Sequence, residues 1–96
     1  MHENLWHVRL SKKAEKSLGK LPKPVLQTLT SLMRQIETSG PVRGDWANYG
    51  KLGPKRHHCH IKKGKPTYVA VFWEELESGI QIVEVTYAGT HEKAPY

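Results

Sequence analysis

The sequence has one cysteine, one phenylalanine and no long apolar run. Because Cys59 has no partner in the chain, an internal disulfide is excluded. No stretch approaches the roughly 18 apolar residues of a membrane-spanning helix. The first ten residues have neither an apolar core nor a small-residue cleavage site, so no signal peptide is predicted. These absences favour a cytoplasmic protein, and a length of 96 residues predicts a single domain over residues 1–96.

Acidic residues are scarce in the first two thirds of the chain. Residues 1–65 carry 14 Lys and Arg against 4 Asp and Glu, a net charge of +10. Residues 66–96 carry 1 against 5, a net charge of −4. The positive part attracts polyanions by long-range Coulomb steering. With 38% apolar residues the chain can still form a hydrophobic core, so general disorder is not expected.

Hydrophobic periodicity predicts a strand followed by two helices in the first half of the chain. Alternation of apolar and polar residues over Trp6–Leu10 indicates a strand with one buried face. Ser11 is expected to cap a helix that ends at Gly19. Pro22 suits the first turn of a second helix, whose apolar residues recur at 3.6-residue spacing until Gly40. A tight link between two helices predicts an αα-hairpin.

The second half is predicted as a loop followed by three strands. The loop covers residues 40–55, and a short strand near Leu52 is left open. The three strands are Arg56–Lys62, Thr67–Trp73 and a last one from Ile80 to about Ala88. Because Thr67–Trp73 is apolar on both faces, it is expected at the centre of the sheet. The predicted fold class is therefore α+β with the order β-α-α-β-β-β, an antiparallel sheet covered on one face by an N-terminal αα-hairpin.

The most basic stretch of the chain coincides with the first of these three strands. Residues 51–65 include six Lys or Arg, three His and no acidic residue. Because alternate side chains of a strand share a face, one face presents two cations and two imidazoles. These are Arg56, His58, His60 and Lys62. The opposite face carries His57, Cys59 and Ile61, and there a partly buried structural histidine is expected.

Three interpretations of this face stay open: a solvated sheet face, a metal site or a phosphate site. His58 and His60 have the spacing of a metal-binding pair, and His91 is a candidate third ligand. However, the neighbouring cations repel a dication, and the stretch lacks a carboxylate. The same cations lower the pKa of an imidazole, and a neutral imidazole can act as a general base. A phosphate site is therefore favoured over a metal.

The sequence resembles the RelE/ParE superfamily of bacterial toxins from type II toxin–antitoxin systems over nearly its whole length. Besides the order of elements, the resemblance rests on four segments: K-L-G at 51–53, H-C-H-I at 58–61, P-T-Y-V-A-V at 66–71 and Y-x-G-T-H-E-K-A-P-Y at 87–96. It is most similar to the RelE-like and YafQ-like branches, which cleave mRNA in the ribosomal A site without a metal. The RelE-like fold is therefore expected.

The resemblance also implies roles for individual residues. His60 matches a histidine near the end of the second main strand of YafQ-like toxins, and His91 matches the histidine of their G-T-H motif. Tyr96 approximates a C-terminal aromatic residue that stacks on a substrate base. Arg56 lies in a region that supplies phosphate-contacting cations, and it completes the expected catalytic set. The expected RNA- and phosphate-binding residues are Lys51, Lys55, His58, Lys62 and Lys63.

The sequence departs from the family at two acidic positions. Lys62, Lys63 and Gly64 occupy a turn where some relatives have a carboxylate. The glutamate base of the YoeB-like branch has no counterpart, unless Glu92 takes that role. Which histidine is the acid and which the base therefore stays open.

The activity implied by the resemblance is a ribosome-dependent mRNA endoribonuclease that inhibits translation and uses no metal and no cofactor. The implied partners are mRNA in the ribosomal A site, rRNA and a cognate antitoxin protein, with neither a membrane nor a small molecule involved. Two alternatives stay open. One is a poison of DNA gyrase of the ParE type without nuclease activity. The other is a non-catalytic RNA-binding module.

Overall fold

A computed structural model of the protein describes residues 6–46, 48–64 and 66–95. Strand β1 (His7–Leu10) leads into helix α1 (Lys12–Ser17), a 3-10 turn (Leu18–Lys20) and helix α2 (Lys23–Ser39). Four strands and a final 3-10 turn follow: β2 (Gly50–Gly53), β3 (Arg56–Lys62), β4 (Tyr68–Glu77), β5 (Ile80–Thr90) and the turn His91–Lys93. The expected α+β fold is confirmed, and the short strand left open near Leu52 is present as β2.

The strands form one sheet with the order β1-β5-β4-β3-β2. β2 to β5 pair as an antiparallel meander, as expected, whereas β1 pairs with β5 in parallel. The helices and the loop after them reverse the chain between β1 and β2, and three further reversals leave β5 parallel to β1. The strand that is apolar on both faces, β4, lies at the centre of the sheet, as its sequence predicted.

Ser11 and Gly40 cap the helices as expected, whereas α1 ends earlier than predicted, at Ser17, and Gly19 lies in the 3-10 turn that follows. The Ser11 side chain accepts a hydrogen bond from the backbone N–H of Ala14 at 3.1 Å and caps α1. α2 ends at Gly40, whose φ of 87° lies in the left-handed region that favours glycine. A Cβ at Gly40 would come within 3.0 Å of the Trp6 indole, so the lack of a side chain also lets β1 approach the end of α2.

The helices cover one face of the sheet, which we call the inner face; the opposite face is the outer face. The core between helices and sheet combines an apolar stripe of α2 with alternate residues of the strands. Its fully buried members include Val25, Leu29, Leu32, Ile36, Cys59, Ala70, Phe72, Val83 and Val85. None of the described helices is long and apolar enough to cross a membrane.

The loop between α2 and β2 packs against the helix through polar contacts. The Trp46 indole N–H donates to the Gln35 side chain at 2.7 Å, and the Arg43 guanidinium reaches the same oxygen at 3.5 Å. Trp46 also packs against the core. These contacts fix the path of the chain as it approaches the edge of the sheet at Asn48.

Candidate active site

Two histidines of β3 lie side by side on the outer face. The strand alternates as the sequence predicted, with His57, Cys59 and Ile61 buried on the inner side. His58 pairs with Val71 and His60 with Val69, and directly opposed residues share a face. Val69 and Val71 are fully buried. The two imidazoles therefore lie beside two buried valines of the central strand β4.

The end of the chain brings a third histidine to the same face. Its position is fixed by a hydrogen bond from the His91 backbone N–H to the carbonyl of Thr67 at 2.8 Å. The imidazoles of His60 and His91 lie 5.6 Å apart, centre to centre, in an edge-to-face arrangement with an interplanar angle of 70°. The juxtaposition that the resemblance implied for His60 and His91 is therefore present, although they are 31 positions apart in the chain.

The surroundings favour the uncharged form of both β3 histidines. Burial lowers the pKa of His58, and the neighbouring His60 and His91 lower it further. Burial also lowers the pKa of His60, followed by His91 and then Lys63. The pKa of both imidazoles therefore lies below the usual value near 6.5, and His60 is suited to accept a proton at neutral pH.

Lys63 is the lysine that acts electrostatically on His60. Lys62 departs from the expected row because an irregularity of the β3–β4 register between His60 and Lys62 interrupts the alternation. Lys62 is paired with Tyr68, and its ammonium lies 5.9 Å from the centre of that ring. Simple strand periodicity does not foresee such a bulge, which re-aims the next side chain.

Two other expected cations do not join the histidines. Lys51 pairs with His57, whose side chain faces the core, so Lys51 projects from the inner face rather than the outer one. Lys55 precedes β3 and lines a pocket with Glu74 and Glu75 at the opposite end of the strand. Five residues of strand separate it from His60, about 16 Å at the usual rise. Lys51 and Lys55 were expected at the site because they are close to the histidines in the sequence. In the folded chain both lie away from the histidines.

Arg56 marks the other end of the outer face. Its guanidinium donates a hydrogen bond to the backbone carbonyl of Pro95, so the tail that begins at His91 extends along the outer face from His60 toward Arg56. The phosphate-contacting role expected for Arg56 stays a prediction. The fourth member of the expected catalytic set, Tyr96, lies outside the described residues.

Glu92 is exposed on the final 3-10 turn, beside His91. The two residues line an open cavity of about 530 Å³ together with Gly64, Pro66, Thr67 and Thr90. The cavity lies between the β3–β4 turn and the end of β5. A substrate that spans His60 and His91 has room to extend into it.

His57 has the structural role that its inner face predicted. Its Nε2 donates to the Glu74 carboxylate at 2.5 Å, and its Nδ1 lies 2.7 Å from the Tyr49 hydroxyl. The imidazole is fully buried and stacks on Phe72, with ring centres 5.4 Å apart. We call Tyr49–His57–Glu74 the buried hydrogen-bond chain.

The neighbouring thiol is not suited to nucleophilic chemistry. Cys59 is fully buried, and burial, helped by Asp45, raises its pKa to about 12. A thiol with such a pKa is protonated at neutral pH and therefore unreactive.

The metal alternative would require three side chains that converge on one point. In the described ranges, no group of three or more His, Cys, Asp or Glu side chains is arranged to hold a metal ion. Although His58, His60 and His91 share a face, their side chains do not form such a group.

One residue at the site was not foreseen. The side-chain nitrogen of Asn48 lies 3.3 Å from Nδ1 and 3.4 Å from Nε2 of His60. Asn48 precedes β2, a strand that the sequence left open, so no pattern linked it to β3. Its φ of 51° is left-handed, a conformation in which asparagine is enriched, and this is the one local signal it offers.

Comparison with solved structures identifies the fold. No protein-family model matches the sequence, and a search of curated proteins finds no match either. Among solved structures, a mutant of the E. coli toxin RelE in the free state is similar at 16% identity and a TM-score of 0.69, over 94% of this chain and 87% of that one. An archaeal RelE–RelB complex from Pyrococcus horikoshii OT3 is similar at 12% identity and a TM-score of 0.60, over 94% of this chain and 99% of that one. The chain has the RelE fold, as the resemblance implied.

Proposed function

We propose that the protein is a RelE-like toxin that cleaves mRNA on the ribosome without a metal ion. The observation that carries the proposal is the pair His60–His91, whose ring centres lie 5.6 Å apart on the outer face of the sheet. Two imidazoles at this separation can serve as the base and the acid of one proton-transfer reaction, each within about 3 Å of its oxygen. The fold shared with RelE toxins supports the same activity.

The reaction that suits such a pair uses the 2′-OH of the RNA as its nucleophile. A base removes the 2′ proton, the 2′ oxygen forms a bond to the adjacent phosphorus, and the bond to the 5′ oxygen breaks. An acid protonates the leaving 5′ oxygen, and the products are a 2′,3′-cyclic phosphate and a 5′-hydroxyl. Because the nucleophile is the 2′-OH, DNA is not a substrate.

The environments of the two histidines suggest how the roles divide. His60 lies beside the buried Val69 and has a lowered pKa, which suits the base. His91 is exposed and is assigned the acid. Lys63 and Arg56 would stabilise the charge that develops on the phosphate, a contribution that often exceeds that of acid–base catalysis. Lys62 would contact phosphate only outside the reacting pair, because the bulge turns it away from the histidines.

The proposed partners follow from the activity and from one of the similar structures. The substrate would be mRNA in the ribosomal A site, with rRNA contacted by the basic surface, and this places the target in the cytoplasm. One similar structure is a RelE–RelB complex, which supports a cognate antitoxin as a further partner. An acidic antitoxin segment would complement the net charge of +10 over residues 1–65.

Primer extension on cellular mRNA after induction of the protein tests the proposal. The expected result is new 5′ ends within translated messages, and none when His60→Ala and His91→Ala are combined. Cleavage that disappears with EDTA and returns with zinc, at fixed magnesium for the ribosomes, would support the metal alternative instead. Intact mRNA together with gyrase inhibition would identify a ParE-type poison. Bound but intact RNA would identify a binding module.

A further inference from the structure

Three consecutive residues at the edge of the sheet each contact a different histidine of β3. The pairs are Asn48 with His60, Tyr49 with His57, and Gly50 with His58. At the third pair, a Cβ on Gly50 would come within 3.1 Å of Nε2 of His58, so the backbone there lies against the ring. The segment 48–50 thus fixes the surroundings of both outer-face imidazoles of β3.

Asn48 meets His60 in an arrangement that differs from an ordinary hydrogen bond. Its nitrogen is almost equally far from Nδ1 and Nε2, at 3.3 and 3.4 Å. The two ring nitrogens flank one carbon, and a point in the ring plane equidistant from both would overlap that carbon. The amide therefore lies over the face of the imidazole. In this position it restrains the ring without blocking the in-plane approach to either nitrogen.

The charge distribution of the amide favours one form of the ring. An NH₂ group carries partial positive charge, which the electron-rich face of a neutral imidazole attracts weakly. A protonated imidazolium instead repels it. Asn48 therefore favours the form of His60 that can accept a proton.

The main chain at Asn48 is held from the inner side of the sheet. Its φ of 51° is accessible to Asn, Asp and Gly at low cost. The next residue, Tyr49, is tied to His57 and through it to Glu74 by the buried hydrogen-bond chain. Moving the main chain at Asn48 away from His60 would strain or break these contacts, so the backbone that carries the amide is held in place.

We propose that Asn48 is a positioning residue, which holds the His60 imidazole in its reactive orientation by packing its side-chain amide on the ring face. This inference rests on the proposed role of His60 as the base of RNA cleavage. It adds to that site a residue from outside the basic strand. Asn48→Gly removes the side chain and Asn48→Asp reverses its charge character, while both residues tolerate the left-handed backbone.

An NMR titration of the histidine ring protons in the full-length protein tests the contact directly. In Asn48→Asp the carboxylate favours imidazolium, so the titration of His60 should move to higher pH than in the wild type. Ser31→Ala, on the exposed side of α2, is the matched control and should leave the titration in place. An unchanged His60 titration in Asn48→Asp would overturn the proposal.

Single-turnover cleavage of ribosome-bound mRNA tests the consequence. Asn48→Gly should lower the rate on the order of 10- to 100-fold at saturating ribosomes, with little change in the half-saturating concentration. In Asn48→Asp the acid limb of the pH–rate profile should move to higher pH, as the His60 titration does. A wild-type rate for Asn48→Gly would contradict positioning. If the wild-type protein cleaves no mRNA, the proposed function fails, whereas the NMR titration still decides whether Asn48 controls His60.

Discussion

His57 and Glu74 bind each other across two neighbouring strands, with Nε2 and Oε2 2.5 Å apart and the imidazole fully buried. The Glu74 carboxylate retains a side-chain exposure of 27%. A buried N–H that loses its acceptor costs about 1–3 kcal/mol. We therefore expect Glu74→Ala to lower the free energy of unfolding by about this amount in urea denaturation.

A matched control for this substitution is Glu77→Ala at the exposed end of β4. Its carboxylate lies 3.8 Å from Arg9 in a surface ion pair, and such pairs are worth about 0–1 kcal/mol. If Glu74→Ala is no more destabilising than Glu77→Ala, the buried hydrogen-bond chain does not stabilise the fold.

Lys63 should influence the pH dependence of cleavage through His60. A nearby cation disfavours imidazolium, so removing it in Lys63→Gln raises the pKa of His60 from its lowered position. If neutral His60 is the base, activity is lost as the pH falls through this pKa. The acid limb of the pH–rate profile of Lys63→Gln should therefore lie at higher pH than that of the wild type.

Lys20→Gln provides the control for Lys63→Gln, because it removes the same charge from the 3-10 turn after α1. Its acid limb should coincide with that of the wild type at equal ionic strength. Equal displacement by both variants would indicate a general effect of net charge on ribosome binding. If neither variant displaces the acid limb, Lys63 does not influence the pKa of His60.

The sequence predicted the fold well because its signals are local. Ser11 and Gly40 delimit the helical hairpin, and the two apolar faces of Thr67–Trp73 indicate a central strand. The inner and outer faces of β3 follow from a period of two, which correctly assigns His57 to the core and His58 to the outer face.

The candidate site was predicted less completely because it depends on strand register and on distant parts of the chain. The strand register places Lys51 on the inner face, and a bulge turns Lys62 away from the histidines. Neither the register nor the bulge can be predicted from the alternation of residues along a strand. The partner of His57, Glu74, is 17 residues away along the chain. Asn48 contacts His60 from a loop whose path is set by packing against α2. The sequence linked His91 to His60 as a candidate third metal ligand and, through the resemblance, as the second histidine of the expected catalytic set.

Substitution of His60 and His91 should have non-additive effects on cleavage. If both act in one transition state, the loss of either disables the same step, and the double variant should be little slower than the slower single variant. Each single alanine variant should lose about 10²–10⁴-fold in single-turnover rate. Losses that multiply in the double variant would make the two histidines independent binding residues.

The cations of the outer face should be distinguishable by the salt dependence of RNA binding. Removing one cation that binds a phosphate reduces the steepness of the log–log salt dependence by about 0.7 for a single strand. We expect this reduction in Arg56→Gln and Lys63→Gln, whereas Lys55→Gln, at the far end near Glu74 and Glu75, should change the slope little. A flat salt response of the wild type would show that this face is not the nucleic-acid surface.

Removal of Tyr96 should reduce activity far more than stability. Terminal residues rarely support a core, and stacking of an aromatic ring on a base is worth about 1–3 kcal/mol. Arg56 binds the carbonyl of Pro95 and so brings the described end of the tail to the outer face. Without its stacking partner the substrate base would misplace the 2′-OH relative to His60, and small misplacements cost on the order of 10²-fold in rate. Tyr96→Phe should therefore retain more cleavage activity than Tyr96→Ala, while the urea midpoints of both stay near that of the wild type. Equal loss in the two variants would make the hydroxyl the working group, and full activity of Tyr96→Ala would remove the tail residue from the site.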